Sequence, residues 1–272
     1  MSIDGSHALD LVFAPVGGRT TLTRRRYRWP LLIGRVFPDP NRQGVGSVTV
    51  QNAAGTVIPG DVVRQRIAVV DGGSVVVRGQ GATVVSGIPC GELAVEETTV
   101  RVDSHSHLLW HPSARILTAY ARYRQLTQVC VEPGGRAVLV DAVVLHPDLT
   151  GDVFGSWEST VVVTAPGGAL RALDAQLLEA PPGMKCAPTA FGMIYVIGTE
   201  LDTMMTALSP GLEALTAFTE NRRVYVGVSD LPNEAGWAVR MAASDGGTLR
   251  AVIGEATTIL EAATRADALA GV

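Results

Sequence analysis

The feature that most limits the fold of this chain is a succession of short valine-rich runs separated by turns that contain glycine. A β-branched side chain fits a pleated strand better than a helix, and glycine adopts the positive φ angles that tight turns need. The runs recur at a spacing of roughly ten residues, which predicts a sandwich, a barrel or a β-helix rather than βαβ units. We find no repeat of fixed period. The predicted strands include residues 48–50, 62–70, 74–77, 98–102, 126–131, 137–145, 159–163, 223–229 and 237–242.

The character of the sequence changes after a breaker cluster at residues 181–183. Residues 1–180 therefore predict an all-β body, and residues 181–272 an α+β portion. Apolar residues at helical spacing predict two helices there, over 200–219 and over 247–269, the second capped by Ser244 or Asp245. No long polar linker separates the two parts, so we expect one domain over residues 1–272.

Composition excludes several classes of protein. Apolar residues make up 47% of the chain and charged residues 18%, which favours a packed core over disorder. The net charge of −4 gives no field that would attract nucleic acid, and no stretch approaches the ~20 apolar residues that span a membrane. Cys90, Cys130 and Cys186 match neither a zinc spacing nor a disulfide framework, so a reducing cytoplasm is the expected location.

One motif suggests metal chemistry. In a strand, His105, His107 and His111 would point to one face, and two such imidazoles make a metal half-site. A metal-dependent hydrolase using His105, His107 and an acidic residue is therefore one hypothesis; the alternative interpretation is a polar strand face or a loop next to Asp103.

Other signals for catalysis or binding are weak. The chain has no phosphate-binding loop and no nucleophile elbow. The pair Glu96-Glu97 is predicted to face water at a turn or strand edge. A β-helical module that binds carbohydrate or a surface partner is a further alternative, although aromatic residues are only 5% of the chain.

Several segments match one set of motifs in the same order along almost the whole chain. Residues 109–116 resemble L-E-W-L-P-x-x-x-I, and residues 52–61 resemble the loop P-P-G-G-x-V-G-G-D. In these segments the chain resembles the UreD (UreH) family of urease accessory proteins. Departures from the family pattern, such as His146-Pro147 in place of Gly-Arg, indicate a divergent member. Further matching segments are 28–38, 79–85, 139–154, 227–231 and 237–240, with the terminal helix after them.

The resemblance implies a fold, partners and a role. The fold would be mainly β, a β-helical sandwich-like body with two α-helices in the C-terminal third. The chain would be a non-catalytic scaffold in a complex with UreF and the GTPase UreG that engages apo-urease. It would hold no cofactor tightly, and nickel would be in transit through a polar tunnel.

The resemblance also implies the residues along the nickel path. Those at positions matching the family motifs are Asp61, Thr83, Asp141, Asp152 and Asp174. Asp141 is the most informative because it interrupts the apolar run 137–145, where an aspartate is unfavourable. The alternative for Asp141 is a structural one: a buried carboxylate bonded by backbone donors, or paired with Arg136 or Arg171. His105 and His107 are less suited to this path.

Overall fold

The structure is a computed structural model that describes residues 7–40, 42–183, 187–199, 201 and 224–270, with side chains up to residue 262. The helix predicted over 200–219 and the thiol of Cys186 lie outside these residues. The described part contains nineteen strands and one α-helix, α1 (Gly246–Ala270). In chain order the strands are β1 (Leu9–Val16), β2 (Arg19–Tyr27), β3 (Leu31–Ile33), β4 (Phe37–Pro38), β5 (Gly46–Asn52), β6 (Thr56–Val57), β7 (Val62–Val69), β8 (Ser74–Gly79), β9 (Ala82–Val85), β10 (Ala94–Val102), β11 (His107–His111), β12 (Ala114–Leu117), β13 (Arg122–Val131), β14 (Arg136–Leu145), β15 (Ser156–Thr164), β16 (Leu170–Leu178), β17 (Ala190–Gly198), β18 (Val224–Asp230) and β19 (Gly236–Ala243).

The body is a β-solenoid, which confirms the mainly β, β-helical prediction. Each coil consists of a strand of one sheet, a short corner strand and a strand of the opposite sheet, as in β8, β9 and β10. Equivalent strands of successive coils pair in parallel, so β7, β10, β13 and β15 lie side by side, and β5, β8, β11 and β14 form the facing sheet. Antiparallel strands flank the parallel ones in both sheets: β16 lies beside β15 in the first sheet, and β17 and then β19 follow β14 in the second, facing sheet.

Tight turns carry the chain from one coil to the next. Asp71, His105 and Gly134 occupy equivalent turns in three successive coils, and all have positive φ, at 55°, 56° and 73°. The prediction that His105 shares a strand face with His107 is therefore wrong, because His105 lies in the turn and β11 begins at His107. The polar Ser-His-Ser sequence favours a turn there more than the extension of a short strand.

Helix α1 packs on the outer face of the second sheet, against β17 and β19. Its N-cap is Asp245, whose Oδ1 accepts a hydrogen bond from the backbone N–H of Thr248 at 2.8 Å. Leu249, Val252 and Ile253 are buried in the apolar cluster beneath it. The prediction of a helix over 247–269 with this cap is confirmed. In the part of the chain that the structure describes, no helix is long and apolar enough to cross a membrane.

Candidate functional site

Polar side chains form a row between the two sheets, inside an otherwise apolar core. Three of them are in register on adjacent parallel strands: Glu96 on β10, Gln125 on β13 and Ser159 on β15. All three are buried. Because strands of a solenoid pair in register, one inward polar residue in each coil gives a continuous row along the axis.

The centre of this row is a buried cluster of Glu96, Arg115 and Tyr123. The Arg115 Nε lies 3.2 Å from Glu96 Oε2 and 3.0 Å from the Tyr123 hydroxyl oxygen, and its Nη2 donates to Glu96 Oε1. The Tyr123 hydroxyl donates to Glu96 Oε2 at 2.8 Å. The prediction that Glu96 faces water is therefore wrong. Only Glu97 points outward, where it pairs with Arg64 at 2.7 Å.

Burial and charge act in opposite directions on this cluster. Burial alone would lower the pKa of the Arg115 guanidinium, but Glu96 and Tyr123 beside it raise that pKa above its usual range. Burial raises the pKa of the Tyr123 hydroxyl well above its usual value, although Arg115 opposes that shift. Arg115 is therefore a permanent positive charge, and Tyr123 stays protonated as a donor.

Asp141 lies next along the row, on β14. Its Oδ1 accepts a hydrogen bond from Gln125 Nε2 at 3.2 Å, and its Oδ2 accepts one from the Ser159 hydroxyl at 3.0 Å. The structural alternative predicted backbone donors or an arginine, Arg136 or Arg171, as the partners of Asp141. The observed partners are instead the side chains of Gln125 and Ser159. Burial raises the pKa of the Asp141 carboxyl, while Ser159 and the nearby Arg115 partly offset that rise.

The row continues to Asp174 on β16. Asp174 Oδ2 accepts hydrogen bonds from the Tyr195 hydroxyl and from Arg240 Nη2, both at 2.9 Å. Gln176 donates to the Tyr195 hydroxyl at 3.3 Å. Beyond them, Gln176, Arg240 and the exposed Tyr225 line a cleft of about 450 Å³.

Two small cavities lie within the row. The first, of about 30 Å³, is lined by Thr83, Gln65, Glu96 and Arg115 among others. The second has the same volume and is lined by Glu96, Gln125, Asp141 and Tyr195 among others. Each has room for about one or two water molecules among several polar partners. Thr83, Asp141 and Asp174 therefore all lie on or beside one interior line.

Comparison with known proteins decides the family. The family model described as UreD urease accessory protein matches residues 5–270 of the chain. This chain belongs to the UreD family. It is 58% identical to the urease accessory protein UreD of Mycolicibacterium smegmatis over 243 residues, which are 89% of this chain and 86% of that protein. It is 32% identical to UreD 2 of Bradyrhizobium sp. strain BTAi1, over 89% of this chain and 85% of that protein. It is 31% identical to the urease accessory protein UreD of Haloarcula marismortui, over 90% of this chain and 82% of that protein.

The UreD family consists of accessory proteins rather than enzymes, in agreement with the expectation from the sequence. Two of the residues matched to UreD motifs lie away from the interior row. Asp61 closes a turn, where its Oδ2 accepts the Ile58 N–H at 3.0 Å. Asp152 is exposed on a 3₁₀ helix (Gly151–Val153), and its hydrogen bond from Thr150 lowers the pKa of its carboxyl.

The histidines of this UreD chain also lie apart from the row. His107 lines a different small cavity together with Arg42 and Glu261, at the edge of α1. Burial lowers the pKa of His111, and the nearby Arg78 lowers it further. Among the described residues, no three His, Cys, Asp or Glu side chains are grouped as a metal site.

We expect Asp141 to make stability depend on pH. Its pKa is raised above the usual 3.8, so the folded protein binds more protons than the unfolded chain between the two pKa values. The free energy of unfolding should therefore fall as pH rises through that window. Asp141→Asn removes the ionisable group, so the mutant should gain stability relative to wild type as pH rises above about 3.8 and through the raised pKa of Asp141. Urea unfolding at several pH values measures this. A difference that is constant with pH would contradict it.

Proposed function

We propose that this chain acts in urease maturation as a scaffold that conducts nickel to apo-urease, in a cytoplasmic complex with UreF and the GTPase UreG. The coarse role rests on its membership of the UreD family. The conduction of nickel rests on one observation, the interior polar row that runs from Thr83 past Asp141 to Asp174, whose partner Arg240 lines a cleft.

The physical argument starts from the cost of burying an ion. A divalent cation cannot cross a dry apolar core, because an isolated charge there is prohibitively unstable. Oxygen atoms along a path replace part of its hydration shell, and carboxylates offset its charge. A path must also release the ion, so its carboxylates should be spread out. Asp141 and Asp174 lie on different strands and have different partners, which suits transit rather than storage.

The test is the transfer of nickel into urease by point mutants. Asp141→Ala and Asp174→Ala should assemble normally with UreF, UreG and apo-urease but lower the initial rate of nickel incorporation about tenfold or more. A loss of only ~1.4 kcal/mol of stabilisation slows a step tenfold. Nickel per urease active site, measured by mass spectrometry of the purified urease, gives the rate.

Asp152→Ala is the matched control, because Asp152 is exposed and off the row; it should mature urease at the wild-type rate. Wild-type rates in both interior mutants, with normal assembly, would rule out this path. A full loss in the double mutant His105→Ala, His107→Ala would instead support a histidine route.

A further inference from the structure

A fixed positive charge interrupts the interior row. Arg115 is only 5% exposed; its partner in register on β9 is Thr83, and its charge is near enough to Asp141 to lower the pKa of that carboxyl. Arg115 lines the first cavity, and its partner Glu96 lines both cavities. The guanidinium therefore fills the space beside the Glu96 carboxylate and repels any cation that approaches it.

The atoms around the guanidinium are those of a cation site. Arg115 contacts both carboxylate oxygens of Glu96, the hydroxyl oxygen of Tyr123 and the backbone carbonyl of Ser113. A divalent cation such as Ni²⁺ can bind carboxylate, hydroxyl and carbonyl oxygens. Glu96 also accepts hydrogen bonds from Gln65 Nε2 on Oε1 at 2.9 Å and from the Tyr123 hydroxyl on Oε2 at 2.8 Å, so two partners other than Arg115 hold the carboxylate.

A small cavity adjoins Arg115. It is lined by Arg115 itself, by the polar residues Gln65, Thr83 and Ser113, and by apolar side chains. Its volume of about 30 Å³ is less than a guanidinium needs, so a rotamer change of Arg115 into this cavity also requires small shifts of the lining side chains.

We propose that Arg115 is an interior plug, whose guanidinium occupies a divalent-cation site on Glu96 and Tyr123, and that a passing divalent cation displaces it. The plug keeps Glu96 neutralised while no cation is present. The proposal rests on the interior passage of the proposed function and adds to it the step at which the passage opens.

The experiment asks whether removing the plug exposes the site. The untagged full-length Arg115→Gln protein is titrated with Ni²⁺ alone by calorimetry, and its melting temperature is recorded with and without Ni²⁺. We expect one bound Ni²⁺ per chain, at least tenfold tighter than any binding to wild type, and a rise of several degrees in melting temperature. No added site and no rise in the mutant would overturn the proposal.

Two matched variants separate a plug from a merely structural ion pair. Arg115→Lys keeps the positive charge and should gain no Ni²⁺ site. The double mutant Glu96→Gln, Arg115→Gln lacks the carboxylate and should also gain none. Equal Ni²⁺ binding by Arg115→Gln and by the double mutant would place the ion elsewhere and refute the proposal.

The design remains decisive if Arg115→Gln does not fold by itself. Ni²⁺ replaces the missing positive charge in this proposal, so the yield of folded protein should then recover when Ni²⁺ is present during refolding. Misfolding that Ni²⁺ does not relieve would count against the plug.

The outcome is also separable from that of the proposed function. A Ni²⁺ site in Arg115→Gln, together with wild-type nickel delivery by Asp141→Ala and Asp174→Ala, would support the cation site and refute the proposed nickel passage. Slow nickel delivery by Asp141→Ala and Asp174→Ala, without a new Ni²⁺ site in Arg115→Gln, would support the nickel passage and refute the role of Arg115 as a plug.

Discussion

Replacing either Arg115 or Glu96 alone by glutamine is expected to lower the free energy of unfolding by about 3–5 kcal/mol, measured without metal. Each single change leaves the opposite charge buried, since the two residues are only 5% and 7% exposed. Replacing both by glutamine removes both charges and should cost much less, because two amides can hydrogen-bond to each other. Urea unfolding of the three variants gives the coupling energy as a double-mutant cycle.

Strand β10 offers a matched control on its outer face, where Glu97 lies opposite Arg64 of the neighbouring β7. Arg64 and Glu97 pair at 2.7 Å, but their side chains are 42% and 38% exposed. Their single glutamine variants should cost no more than about 1 kcal/mol, because water screens an exposed pair. Equal costs for the inner and outer pairs would show that the interior around Arg115 is wetter than its burial indicates.

The body of the fold could be predicted from the sequence because its signals are local. Valine-rich runs such as 137–145 and 62–70 correspond to β14 and β7 within one residue at either end. The choice among sandwich, barrel and β-helix could not be made from these runs. All three architectures share the same alternation, and parallel pairing joins residues some thirty positions apart, as Glu96 and Gln125.

The candidate site was only partly predictable. Asp141 stands out because a carboxylate within a valine-rich run needs an explanation. Glu96 was missed because it precedes Glu97, and two adjacent acids suggest a solvated edge. Strand alternation contains the signal that was overlooked: Glu96 shares the parity of Val100, which is buried, whereas Glu97 shares that of the exposed Arg101.

Arg115 was harder to predict than Glu96. Its strand, β12, has four residues, too few for alternation to indicate an inward side chain. It also occupies a position that the motif L-E-W-L-P-x-x-x-I leaves open. Its partner Tyr123 lies on a strand of the opposite sheet, so only the three-dimensional arrangement brings them together.

The second large effect on stability is expected from a substitution in helix α1, at Ile253. Ile253 is 3% exposed and packs in the cluster between α1 and the second sheet. Gly192 on β17 allows this close approach, because a Cβ there would lie 3.1 Å from Ile253 Cδ1 and 2.8 Å from Leu249 Cδ1. Truncation of a buried isoleucine to alanine costs about 2–5 kcal/mol, and a buried charge costs more.

Ile253→Asp should therefore lower the free energy of unfolding by more than about 4 kcal/mol and leave most of the protein aggregated or unassembled. Gly254→Ala is the matched control one residue along, where the added methyl group meets no other atom within 4 Å. It should stabilise the helix by about 0.5–1 kcal/mol, because alanine loses less conformational entropy than glycine. Soluble yield and urea unfolding measure both changes. A soluble Ile253→Asp protein with near wild-type stability would mean that α1 is not held by this face, and that the outer surface of β17 and β19 is open to another partner.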